Sequence, residues 1–254
     1  HVLIDECREL FGEIYEQIPE LPFCNIWTAM QLSSRLPKGA LFHMGVSNTR
    51  RCWNMFQLPE SVESACNVGC CGIDGCVSTL VGASLVNPDR LCYVVVGDLT
   101  FFYDLNSLGN HHIGTNLRVM LVNNGRGTEF RLGIHHCNVF GDDADKYMAA
   151  AGHFGNKSPL LVKHYAEDLG FHYLSATTKE EFMTALSNFT NPQLSDHSMI
   201  LEVFTDSKDE SEALYLMSHI QSDAKGMVRS KLKDAVRNVA GEKGINAIKK
   251  ILKK

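Results

Sequence analysis

Two uninterrupted apolar runs, each closed by a glycine beside polar residues, constrain this chain more than any other feature. Tyr93-Val94-Val95-Val96 ends in Gly97-Asp98, and Val119-Met120-Leu121-Val122 ends in Asn123-Asn124-Gly125. Such a run is short, continuous and bounded by breakers, which reads as a strand buried on both faces. Leu41 to Val46, Leu91 to Val96, Leu117 to Val122 and Met199 to Phe204 are predicted as strands of this kind. Between them, Gly72 to Val86, Thr100 to Asn110, Pro159 to Leu169 and Lys179 to Phe189 read as helices. The alternation predicts an α/β fold: a doubly wound, mostly parallel sheet flanked by helices. Sheets of this type bind ligands outside the carboxyl ends of their strands, which directs attention to the loops after Val46, Val96 and Val122.

Three regions are expected along the 254 residues. Residues 1–40 read as a helical connector from an upstream region, 41–222 as the α/β binding domain, and 223–254 as a basic helical tail. The tail has ten Lys or Arg against three acidic residues, with apolar Val228, Leu232, Val236, Ile245, Ile248 and Ile251. That pattern fits two short amphipathic helices with a solvated face. The stretch from Gly127 to Lys157 has no clear period and reads as a lid or binding loop. A net charge of −5 gives no support for nucleic acid as a partner. No apolar run approaches the roughly 18–20 residues needed to span a bilayer, and the start is no signal peptide. The absence of an initiator Met at His1 reads as a piece cut from a longer chain. Nine cysteines, with Cys66, Cys70, Cys71 and Cys76 clustered, lack the paired C-x-x-C spacing of a zinc site. Reduced thiols in a cytoplasmic protein are the expectation.

The chemistry concentrates at the two strand ends. Neighbouring parallel strands put their carboxyl ends side by side, so Asp98 and Asn124 can meet although 26 positions separate them. A carboxylate and an amide oxygen are hard ligands, suited to Mg²⁺ rather than to zinc. Gly97 permits a close backbone approach. The N–H groups of Leu99 and Thr100, at a helix start, would face an anion. Together these parts predict a site for magnesium bound to a diphosphate. Taken singly, Gly-Asp is a common helix cap and Asn-Asn-Gly a common turn, and only their joint placement argues for the site.

Gly97-Asp98 followed at this distance by Asn123-Asn124 resembles the magnesium and diphosphate signature of thiamine-diphosphate (ThDP) dependent enzymes. By that resemblance, Asp98, the Asn124 side chain and the Arg126 carbonyl ligate the metal. A narrower likeness spans Asn67-Val68-Gly69-Cys70-Cys71-Gly72-Ile73-Asp74-Gly75 and Gly97-Asp98-Leu99-Thr100 through Tyr103-Asp104-Leu105-Asn106. It is similar to the synthase family that makes 2-succinyl-5-enolpyruvyl-6-hydroxy-3-cyclohexene-1-carboxylate in menaquinone biosynthesis. The resemblance implies that Ile73 is the apolar wedge under a bent cofactor, next to Gly72, and that the Cys71 carbonyl lies near its aminopyrimidine. It further implies that Ser47, Arg51 and Phe130 line a substrate pocket.

The resemblance carries expectations for the whole enzyme as well. The cofactors are ThDP and Mg²⁺, the substrate is a 2-oxo acid such as 2-oxoglutarate, and the reaction is decarboxylation or carboligation. The activating glutamate is expected on a separate pyrimidine-binding domain or subunit, so no catalytic residue is assigned in this chain, which alone would be inactive. A homodimer or higher assembly follows, because such sites form between the two domain types. Where the synthase pattern has an arginine, this chain has Val68, which cannot pair with a carboxylate. A relative acting on a different 2-oxo acid, and a non-catalytic subunit of the same fold, are the alternatives. A dinucleotide oxidoreductase is disfavoured, because Gly69, Gly72 and Gly75 are spaced G-x-x-G-x-x-G.

Overall fold

The computed structural model describes residues 2–133, 135–148, 150–151, 158–193 and 195–220. The basic tail 223–254 and part of the expected lid between Gly127 and Lys157 lie outside the described residues.

Six parallel strands form one sheet. They are β1 (Leu41–Met44), β2 (Glu63–Cys66), β3 (Cys92–Gly97), β4 (Leu117–Asn123), β5 (His172–Ala176) and β6 (Met199–Phe204), in the order β2-β1-β3-β4-β6-β5. The four expected strands are the four inner ones. β2 and β5 were not anticipated. Both lie at the edges and carry polar or exposed residues, Glu63-Ser64-Ala65-Cys66 and His172-Tyr173-Leu174-Ser175-Ala176, so neither shows an apolar run. Edge strands are buried less, and the patterning signal weakens with burial.

Successive side chains of a strand point to opposite faces. In β3, Tyr93 and Val95 join one buried cluster while Val94 and Val96 join the other. The first cluster is covered by α2 (Asn25–Leu32), α3 (Asn48–Trp53), α8 (Lys179–Phe189) and α9 (Ser207–Ser218). The second is covered by α4 (Cys76–Val86), α5 (Asp98–Asp104) and α7 (Leu161–Asp168). The sheet is therefore doubly wound. Upstream, α1 (Val2–Glu16) precedes α2, whose Ile26, Ala29 and Leu32 are fully buried against the sheet.

Several boundaries differ from expectation for local reasons. α4 starts at Cys76 rather than Gly72, because Gly72-Ile73-Asp74-Gly75 forms a loop before the helix cap at Gly75. The helix expected from Thr100 begins two residues earlier, capped by Gly97, and tightens into a 3₁₀ turn over Leu105–Gly109. The aperiodic stretch after Gly127 holds 3₁₀ turns at Thr128–Arg131 and His136–Phe140 and the short α6 (Asp143–Tyr147). α3 and α9 were not read from the sequence. Within β4, Arg118 is fully buried, its guanidinium donating to the carbonyls of Thr115 and Leu117 and to Ser195 Oγ.

Among the described residues, no helix is long and apolar enough to cross a membrane. All nine cysteines are free.

Candidate functional site

Parallel pairing sets the site. Gly97 pairs with Val122 and Met44 with Val95, so the chain leaves β1, β3 and β4 along one edge of the sheet. At this edge Gly45 donates a 2.7 Å hydrogen bond to the Val95 carbonyl, and a Cβ there would meet that oxygen at 3.1 Å. A larger residue would push the loop after β1 away from the site.

A cavity of about 290 Å³ opens here. From the end of β3, Gly97, Asp98, Leu99 and Thr100 line it; from beyond β4, Asn124, Arg126 and Phe130 do so. Ser47 enters from the loop after β1, and Cys71 and Ile73 from the loop before α4. The structure thus brings together ten of the residues singled out from sequence. Gly72 is outside the wall, beside Asp74, whose Oδ1 would lie 2.8 Å from a Cβ added there. Arg51 is also outside the wall.

Asp98 is 2% exposed, and its Oδ1 accepts a 2.8 Å hydrogen bond from the Leu99 N–H. After β4 the chain reverses at Gly125, whose φ of +79° suits glycine. That turn lets Asn124 Oδ1 accept from the Arg126 N–H at 3.3 Å. Two non-glycine residues of the wall, Ser47 (φ 59°) and Cys71 (φ 51°), hold left-handed backbone conformations. Strain of this kind collects at ligand-binding sites, where the surrounding structure imposes it.

Asn123, the first of the Asn pair, does different work. It donates from Nδ2 to Glu202 Oε1 at 2.7 Å, and the Tyr173 hydroxyl donates to Glu202 Oε2 at 2.7 Å. Burial pushes the Glu202 carboxyl up, against these two hydrogen bonds. The network ties β4, β5 and β6 together and fixes the base from which Asn124 projects.

Sequence reasoning missed several members of the wall, Asn25, Thr128 and Glu129 among them. Asn25 comes from the start of α2, and Thr128 and Glu129 from the turn after β4. Nothing in their local pattern marks them: Asn25 reaches the cavity only through long-range packing, and Thr128 and Glu129 lie in an aperiodic turn between Arg126 and Phe130. Arg51, expected to face a substrate, forms a bidentate ion pair with Glu129, at 2.6 and 2.9 Å.

The donors present fit a magnesium diphosphate. Asp98 and Asn124 offer hard oxygens from adjacent strand ends, as Mg²⁺ requires, with room left for phosphate and water. Thr128 is 4% exposed, and its hydroxyl has no hydrogen-bond partner among the described residues. A polar ligand in the cavity would supply one. Among the described residues, no cluster of three or more His, Cys, Asp or Glu is placed to hold a metal.

A doubly wound parallel sheet with this carboxyl-edge cavity is an α/β fold consistent with a ThDP-binding domain. The chain is a relative of 2-succinyl-5-enolpyruvyl-6-hydroxy-3-cyclohexene-1-carboxylate synthases over about three quarters of its length. The synthase of Bacteroides fragilis is 34% identical over 196 residues, which are 77% of this chain and 34% of that protein. That of Phocaeicola vulgatus is 34% identical over 200 residues, 78% of this chain and 34% of the relative. That of Christiangramia forsetii is 33% identical over 199 residues, 78% and 33% respectively. The chain spans about a third of the length of the curated relatives it matches. No family model matches it.

Proposed function

We propose that this chain is the magnesium- and ThDP-binding portion of a 2-oxo acid decarboxylase or carboligase resembling these synthases. The observation that carries the reading is the meeting of Asp98 and Asn124 in the wall of one cavity at the ends of adjacent parallel strands. The Asp98 carboxylate, the Asn124 amide oxygen and the Arg126 carbonyl hold the metal. Gly97, Leu99 and Thr100 bring backbone up to the diphosphate. Ile73, Gly72 and the Cys71 carbonyl would hold the remainder of the cofactor. When bound, the cofactor supplies a nucleophilic carbon for attack on a 2-oxo acid. The chain's own part is to bind, orient and exclude water. Ser47, Arg51 and Phe130 form the substrate side.

The activating glutamate belongs to a pyrimidine-binding domain or a second subunit, and the working assembly is a dimer or larger. By itself this portion is catalytically inactive. Val68 and the Arg51–Glu129 pair favour a second reading of the substrate, a different 2-oxo acid from that of the synthases.

A calorimetric titration with ThDP, with and without Mg²⁺, tests the cofactor site. Binding that requires Mg²⁺ and is weakened at least about tenfold, roughly 1.4 kcal/mol, by Asp98→Ala is the expected result. Equal binding by Asp98→Ala, or binding indifferent to the metal, would sink the proposal.

A further inference from the structure

Arg51 stands on α3, and Glu129 stands on the turn that follows β4, 78 residues later in the chain. No local connection forces them together. Nη1 and Nη2 each donate to a different oxygen of Glu129, at 2.6 and 2.9 Å. A planar fork taking both oxygens of one carboxylate is the geometry in which a guanidinium holds a free carboxylate ligand. Two carboxylates cannot fill that fork at once.

Glu129 is in the wall of the cavity, and Arg51 pairs with it from outside that wall. The two side chains are 36% and 21% exposed, so water reaches them. A ligand carboxylate can offer the same two acceptor oxygens to the fork in exchange. Two arginines on the turn after β4 are also paired with carboxylates. Arg126 donates to Asp145 at 2.9 Å, and Arg131 pairs with both Asp142 and Asp145. Val68 adds no charge.

We propose that Glu129 is a specificity-determining residue that occupies the substrate-carboxylate position on Arg51, and that a 2-oxo acid enters by displacing it. This inference rests on the reading of Arg51 as a substrate residue. The exchange conserves charge at the fork, one carboxylate replacing another, while Glu129 turns to solvent. The protein therefore binds a carboxylate less tightly than a bare Arg51 would, and Glu129 sets by how much.

The test is a calorimetric titration of this chain with 2-oxoglutarate as the probe. Glu129→Gln and Glu129→Ala should each tighten the dissociation constant by at least about tenfold, since the competing charge is gone. Adding Arg51→Lys to Glu129→Gln should abolish the gain. An affinity unchanged or weakened in both Glu129 variants, including binding detectable in no protein, overturns the inference and makes Glu129 a support for Arg51. The wild-type ThDP titration is read separately. A carboxylate gain without ThDP binding sustains Glu129 as the competitor and overturns only the cofactor reading.

Discussion

Glu210 of α9 accepts a 3.0 Å hydrogen bond from the backbone N–H of Asn25 at the start of α2, joining segments 185 residues apart. The Thr205 hydroxyl donates to the same Glu210 oxygen at 2.7 Å. Glu210 is 1% exposed, and burial lifts its carboxyl to about 7, with Asp209 and Asp98 adding to the rise.

A stability prediction follows from the sign of that shift. Between the ordinary glutamate value and about 7, the folded chain binds a proton at Glu210 that the unfolded chain has released. Stability from this group is therefore complete at low pH and is lost as pH rises through that window, by roughly 3 kcal/mol. Glu202 is shifted in the same direction by burial. Chemical denaturation at pH 5 and pH 8 should show a smaller pH-dependent loss in Glu210→Gln than in the wild type. Identical losses would remove Glu210 as the cause.

Trp53 donates from its indole N–H to Asn25 Oδ1 at 2.9 Å, with both residues buried. Trp53→Phe leaves the Asn25 acceptor buried without this donor and opens space beside Phe42. A loss of about 2–4 kcal/mol is expected in urea unfolding, with the denaturant slope unchanged. Asn25 also lines the cavity, so ligand affinity should fall in the same variant.

Thr178 caps α8, its hydroxyl accepting from the Glu181 N–H at 3.2 Å. Glu181 in turn accepts 2.7 Å hydrogen bonds from the N–H and the hydroxyl of Thr177. Thr178→Ala should cost about 1 kcal/mol, and Thr178→Ser should recover most of it, as read from the unfolding midpoint.

Cys7, Cys70 and Cys71 are exposed, whereas burial pushes Cys24 up to about 12 and holds Cys52 well above the ordinary thiol range. Only thiolates react readily, so the exposed trio should label first with a maleimide. Of the three, Cys71 alone lines the cavity. ThDP with Mg²⁺ should slow labelling at Cys71 and leave Cys7 unaffected, which peptide mapping by mass spectrometry would resolve. Equal protection at both sites, or at neither, would dissociate Cys71 from the cofactor.

The sequence alone determined the layers of this protein and the two strand ends that meet at its site. β1, β3, β4 and β6 were legible because strands buried on both faces must be apolar throughout, and Gly97-Asp98 and Asn123-Asn124-Gly125 stand at their ends as visible breaks. Tertiary structure decided the remainder. β2 and β5 take their strand form from a single neighbour each, so their own residues carry no apolar run. Asn25 reaches the cavity because α2 packs on the sheet and Glu210 holds its backbone. Arg51 meets Glu129 because a helix after β1 and a turn after β4 end beside one another. These partners are remote in sequence, and a side chain's role depends on what the fold sets opposite it. Local pattern records burial and turns; charge pairing across the site exists only once the chain has closed.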